Sequence, residues 1–202
     1  RFHQLPRPLP PPADLFAGVP LGETRFVTLT MPDGSTRDAS MILPPGIDTT
    51  RRHPALFYVY GGPGSQLVTD AWGGTRYLWH QMLAQKGYVV VSVDNRGTGF
   101  RGAAFMLQTH RRLGELETDD VADAARAVGR LPFIDSARIG IWGWSGGGYL
   151  TCMAMTRGGG VFRAGIAVAP VTDFRFYDAI WTERYLGLPS ENPGGYAAAS
   201  PL

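Results

Sequence analysis

A single cysteine in 202 residues, Cys152, excludes an intrachain disulfide. Its place within an apolar stretch reads as an inert buried thiol. Long apolar runs are also missing: the longest, 55–60 and 88–93, are strand-length, which excludes a membrane-spanning helix from them. Neither sign of charge dominates, with 19 basic and 17 acidic residues and a net charge of +2. No Lys/Arg run offers a track for phosphates, so nucleic acid is not an expected partner. No internal repeat is present. The opening RFHQLPRPLPPPADLF has no initiating Met and no apolar signal core, so it reads as the start of a processed or excised segment and leaves the compartment unknown. The acids Asp119, Asp120 and Asp123 have no histidine or further carboxylate at metal-ligand spacing. They read as a helix start and solvated face, and neither metal nor cofactor is implied.

What is present is enough apolar material for one sizeable core, at 44% hydrophobic and 11% aromatic residues. Residues 5–12, LPRPLPPP, are too rich in proline for a helix or central strand. Residues 1–23 are therefore expected to form a linker or strap before one domain at 24–202, with a polyproline ligand as the alternative. Two strand-like runs, 24–31 and 36–43, flank Pro32-Asp33-Gly34-Ser35, and Asp-Gly between such runs signals a hairpin. Strand candidates follow at 55–60, 88–94, 138–142 and 164–169, spaced for crossover helices. Val121, Ala124, Ala125 and Val128 recur at helical spacing behind Thr118-Asp119-Asp120, which predicts an amphipathic helix starting there. The pattern is α/β, with an antiparallel opening and then a mostly parallel sheet.

The chemistry concentrates at Gly143-Trp144-Ser145-Gly146-Gly147, a GxSxG motif between a predicted strand and a predicted helix over 146–155. A serine hydroxyl is a weak nucleophile by itself. It must be exposed on a tight turn beside a base, with small neighbours that let the backbone approach. A glycine-rich turn whose serine only caps the helix is the plainer alternative. A second glycine motif, Gly97-Thr98-Gly99-Phe100-Arg101-Gly102, matches GxGxxG. Asp94-Asn95-Arg96 separates it from the strand, however, and a Gly-rich turn beside a cleft is expected there instead of a dinucleotide site.

Six blocks, YVYGGPGSQLV (58–68), VDNRGTGFRG (93–102), LGELE (113–117), IGIWGWSGGGY (139–149), VAPV (168–171) and YDAIWTERYLGLP (177–189), resemble in order and spacing the dipeptidyl-peptidase IV branch of the prolyl oligopeptidase family. The resemblance spans roughly residues 25–189. It implies an α/β-hydrolase domain, preceded in the full-length protein by a β-propeller that restricts access to the cleft. Ser145 then corresponds to the nucleophile, and Gly146 supplies a backbone N–H to the oxyanion. Tyr60 stands where the family places a second, hydroxyl donor. Val171, Phe174, Tyr177 and Trp181 fall at the positions of the pocket for a proline ring. Tyr177 and Trp181, four apart, would share one helix face, an arrangement equally expected of a core stripe. The implied partner is a peptide with a free amino terminus. A homodimer of the full-length protein and a periplasmic or extracellular setting also belong to the resemblance.

This sequence departs from the family where Gly146 replaces the Tyr that commonly follows the serine, removing an aromatic wall. Phe174 and Trp181 stand for Trp and Tyr. A wider pocket is expected, which leaves proline or a small residue open as the preference. In an α/β-hydrolase the acid and then the histidine follow the serine along the chain. His3, His53, His80 and His110 all precede it, and Asp173 and Asp178 follow it too closely. The chain is thus expected to carry the nucleophile and oxyanion half of a site, without acid or base, and to be inactive alone. The leading expectation is a serine exopeptidase that releases N-terminal dipeptides through an acyl-enzyme. The alternatives are another α/β-hydrolase, such as an acylaminoacyl peptidase or esterase, and a non-catalytic interaction module.

Overall fold

The computed structural model describes residues 16–202, so the Pro-rich run at 5–12 lies outside the described residues. The hairpin forms where the Asp-Gly turn predicts it, joining β1 (Thr24–Thr30) to β2 (Thr36–Ile42). Gly34 takes the positive φ of +79° that closes the turn, and Asp33 Oδ1 accepts the Ser35 N–H at 2.9 Å. The strands β3 (His53–Tyr58), β4 (Val89–Val93), β5 (Ile134–Trp144) and β6 (Ala164–Val168) complete a six-stranded sheet in the order β1-β2-β4-β3-β5-β6. β1, β2 and β4 pair antiparallel, whereas β4, β3, β5 and β6 run parallel. The parallel strands are linked by α1 (Gly74–Gln85), by α2 (Ala103–Met106) with α3 (Glu115–Gly129), and by α4 (Gly146–Arg157). After β6 come α5 (Ala179–Leu186) and α6 (Pro193–Ala198). This is the α/β-hydrolase arrangement.

The period-2 alternation of the strands sorts side chains between two layers. Val89, Val91, Val93, Phe57 and Val59 turn to the α3/α4 face, where Val121, Ala124, Ala125, Val128, Leu150 and Ala154 meet them in the main core. Val90 and Ile42 turn the other way, onto Ala84 of α1. Burial of this kind contributes roughly 1.5–3 kcal/mol per large apolar side chain. The sequence just before β1 is tied to α1: Gln81 Nε2 donates to Gly22 O at 3.0 Å and Gln85 Nε2 to Pro20 O at 3.0 Å.

Three expectations are corrected. α3 does not start behind Thr118 but a turn earlier: Gly114, in a left-handed conformation, precedes Glu115, and Glu117 Oε2 accepts the Gly114 N–H at 2.9 Å. Thr118 is therefore interior and buried. Asp120 is not on a solvated face. It is 2% exposed, and its carboxylate accepts from Arg37 Nε at 2.6 Å and Arg96 Nη2 at 2.7 Å. Arg37 lies 83 residues away on β2, beyond the reach of any periodicity argument. Cys152, expected to be buried, is half-buried.

Candidate active site

β5 delivers Trp144, and the chain then reverses into α4 through Ser145, whose φ of 55° and ψ of −116° lie outside the regions a non-glycine residue favours. Such strain costs on the order of 1–3 kcal/mol and persists only where the surroundings impose it. Here they do. The Ser145 N–H donates to Val168 O at 2.9 Å and Ser145 O accepts from Tyr149 N at 2.9 Å, so β6 and the first turn of α4 hold both sides of the residue. A Cβ on Gly143 would strike the carbonyl of Gly147, and one on Gly147 would strike the carbonyl of Val59. Only glycine lets strand and helix pass this closely. No side-chain cap bond joins Ser145 to α4, which removes the plainer capping role.

Tyr60 lies just beyond β3 rather than within the predicted strand, in the loop Tyr60-Gly61-Gly62-Pro63. Its ring stacks beside the elbow: a Cβ at Gly146 would stand 3.5 Å from Cε2 and Cζ of Tyr60. The residues after β4 fasten this loop. Asp94 Oδ1 accepts the Leu67 N–H at 2.8 Å, and Asn95 Nδ2 donates to Gly61 O at 3.3 Å. Burial pushes the Asp94 carboxyl above its ordinary range, against the backbone N–H groups of Leu67 and Val68 that lower it. The GxGxxG stretch braces the same loop, with Gly64 N donating to Gly97 O at 2.9 Å and Gly99 N to Ser65 O at 2.8 Å. It opens only the four-residue α2, too short for a dinucleotide-binding helix.

Ser145, Gly146, Tyr60, Val171, Phe174, Tyr177 and Trp181 all line one hollow. Phe174 packs edge-on against Tyr149, with centroids 4.8 Å apart, and stacks on Trp181 at 5.6 Å and 16°. Tyr177 meets Trp181 at 5.8 Å, but not from one helix: it sits in an extended link before α5, which starts at Ala179. The two rings converge because Asp173 and Asp178 cap the short turns on either side, accepting from Arg175 N and Trp181 N at 2.9 Å each. Asp173 also holds the Arg175 guanidinium through both carboxylate oxygens.

Leu113, Glu117 and Tyr149 are among the lining residues that sequence reasoning did not single out. The LGELE block held a signal for the first two, but nothing local shows which way Glu117 points. Burial pushes its carboxyl up to about 8, and burial likewise raises the Tyr149 phenol. Among the described residues no histidine lines the hollow. His80 is buried against Tyr58 and Trp142, its pKa lowered to about 4 by burial, His53 Nε2 bonds Asp48 O at 3.0 Å, and His110 is exposed. The described residues hold no cluster of three metal-ligating side chains, and no helix is long and apolar enough to cross a membrane.

With a strained serine facing an aromatic hollow, the comparison with known proteins is decisive. The model of the prolyl oligopeptidase family matches residues 76–202, well over half of the chain. The chain belongs to the prolyl oligopeptidase family. It is 42% identical over 176 residues to the "probable dipeptidyl peptidase 4" of Aspergillus flavus, covering 87% of this chain and 23% of that protein. To the "probable dipeptidyl-aminopeptidase B" of Arthroderma gypseum it is 46% identical over 158 residues, covering 78% and 17%. The crystal structure of dipeptidyl peptidase 4 from Porphyromonas gingivalis superposes with a TM-score of 0.85 at 45% identity, covering 90% of this chain and 25% of that one. This member of the family thus spans about a sixth to a quarter of the length of these relatives.

Proposed function

We propose that the protein carrying this chain is a serine peptidase that removes dipeptides from the amino termini of peptides, with Ser145 as its nucleophile. The observation that carries the reading is Ser145 held at positive φ on a glycine-only corner, in one hollow with the Tyr60 phenol. In this reaction Ser145 Oγ attacks the scissile carbonyl carbon while a base takes its proton. The oxygen of that carbonyl becomes an oxyanion facing the Gly146 N–H and the Tyr60 hydroxyl. Collapse breaks the C–N bond and expels the protonated amine, leaving a dipeptidyl ester on Ser145 that water then hydrolyses. Val171, Phe174, Tyr177 and Trp181 hold the residue before the scissile bond, a Pro or another small residue, in an aromatic and aliphatic box. No metal or cofactor is needed for acyl transfer at serine.

On this reading the acid and the base of the triad, a propeller domain and the carboxylates that hold a substrate's free amino group belong to the longer protein. The corresponding division of this chain is a linker or strap at 1–23 and a partial hydrolase domain at 24–202. Two names in the comparison, dipeptidyl peptidase and dipeptidyl-aminopeptidase, support the dipeptide reading over an acylaminoacyl peptidase or esterase. The test is fluorophosphonate labelling of the intact protein, with Gly-Pro and Ala-Ala amides as substrates. Ser145 is expected to take the label and both amides to turn over, whereas the 202-residue segment alone is expected to be inactive. An unlabelled Ser145, or cleavage of blocked peptides only, overturns the proposal.

A further inference from the structure

The hollow has a floor that acyl transfer does not use. It runs down to Leu113, Glu117 and Tyr149, where two polar groups meet at the backbone of Gly114. Glu117 Oε2 accepts the Gly114 N–H at 2.9 Å, and the Tyr149 hydroxyl lies so near that any side chain at 114 would collide with it. Both residues are buried, at 4% and 7% exposure. The Tyr149 oxygen has no hydrogen-bond partner among the described residues. Burial keeps the Glu117 carboxyl protonated at neutral pH, so it can donate as well as accept. Above this floor the wall at Gly146 carries no side chain, and a residue with one would grow from beside the Tyr60 ring into the hollow.

We infer that this floor is a recognition site for a hydroxyl, so that peptides with Ser or Thr before the scissile bond are bound in preference to their methyl isosteres. The inference rests on the dipeptidase reading and deepens it. A hydroxyl both donates and accepts, which matches a phenol and a carboxyl set side by side. A methyl group of the same volume fills the space but leaves the Tyr149 hydroxyl unpaired, and a buried unpaired hydroxyl is heavily penalised. A pocket built to bond a substrate hydroxyl therefore rejects the analogue that lacks it more strongly than an apolar pocket rejects a missing methylene.

The experiment measures kcat/KM of the intact protein on Gly-Ser against Gly-2-aminobutyryl amides, and on Gly-Thr against Gly-Val amides. Each hydroxyl substrate is expected to be favoured by about tenfold or more. In Tyr149→Phe the ratio is expected to fall towards one. Loss of structure alone would lower both members of a pair and leave the ratio standing. Gly146→Tyr, which puts a ring into the hollow between the substrate and the floor, is expected to abolish the preference as well and decides the matter if the Phe variant does not fold. A ratio of one in the unmodified protein, as when a fixed water satisfies both groups, overturns the inference while the dipeptidase reading stands. Turnover of no dipeptide amide, with Ser145 unlabelled, overturns both.

Discussion

Two adjoining walls of the hollow are built by opposite means. The elbow wall, from Gly143 to Gly148, is held by backbone: strand, helix and β6 approach so closely that side chains are excluded at Gly143 and Gly147. The wall beside it, Tyr60 to Pro63, runs on into a loop to Val68 and is held by polar side chains reaching over from the segment after β4, chiefly Asp94 and Asn95. Behind them the Arg96 N–H donates to Asp120 Oδ2 at 2.7 Å, so the tether ends in the buried ion cluster of Arg37, Arg96 and Asp120. The difference follows from the task of each wall. A strained residue such as Ser145 needs surroundings that leave it no alternative, which close packing supplies. The wall carrying the Tyr60 phenol needs position without strain, which hydrogen bonds supply.

The largest effect should come from breaking the elbow wall. Gly147→Ala drives a methyl group into the carbonyl of Val59, and the intact protein is expected to be lost from the soluble, cooperatively melting fraction. If Gly147→Ala melts normally, close packing is not what holds Ser145. Breaking the tether of the other wall should cost less but remain severe. Asp120→Ala leaves the buried Arg37 and the half-buried Arg96 without their anion and is expected to destabilise by about 3–5 kcal/mol, read from urea midpoints.

Tyr60→Phe sharpens the comparison, because it removes a function from the tethered wall without removing a tether. Tyr60 is 37% exposed, and its hydroxyl bonds no described residue, so the melting temperature should hold. With Tyr60 in the oxyanion role proposed above, turnover should fall by about 10²–10³-fold, the cost of one such donor, with KM little changed. An equal loss for Phe in stability and in rate would make Tyr60 a structural residue instead.

The smallest effect is a pH slope at the floor between the walls. The folded-state pKa of Glu117, about 8, lies above its ordinary value of 4.5, so between these values the folded state binds more protons than the unfolded one. Stability should therefore fall as pH rises through that window, the loss being complete once Glu117 ionises above about 8. Thermal melts of the native protein and Glu117→Gln across pH 5 to 9 should diverge at the alkaline end, with the variant flatter. Parallel curves would place Glu117 in a more solvated site than the structure does.

Most of the fold was legible in sequence because its signals are local. An Asp-Gly turn, β-branched runs of strand length and a glycine-flanked serine each act over a few residues, and their order is enough for an α/β pattern, to which the family resemblance added the hydrolase sheet. Three features were not legible, and each depends on contacts between distant segments. The start of α3 shifted because Gly114 and Glu117 cap it together, which a search for Ser, Thr or Asp at the cap passes over. Asp120 looked solvated because its partner Arg37 is set by strand pairing and not by helical period. Tyr177 and Trp181 do converge, as their spacing suggested, but through Phe174 and two short capped turns rather than along one helix.

By itself, the sequence determined that Ser145 must sit at a strand-to-helix corner, because only glycine tolerates the approach that such a corner demands. Which acids are paired, which are buried alone, and which aromatic rings close one hollow were decided by tertiary structure. The reason is physical: a carboxylate's charge state and a ring's neighbours depend on what the fold brings within a few ångströms, and chain-local patterns carry no information at that range.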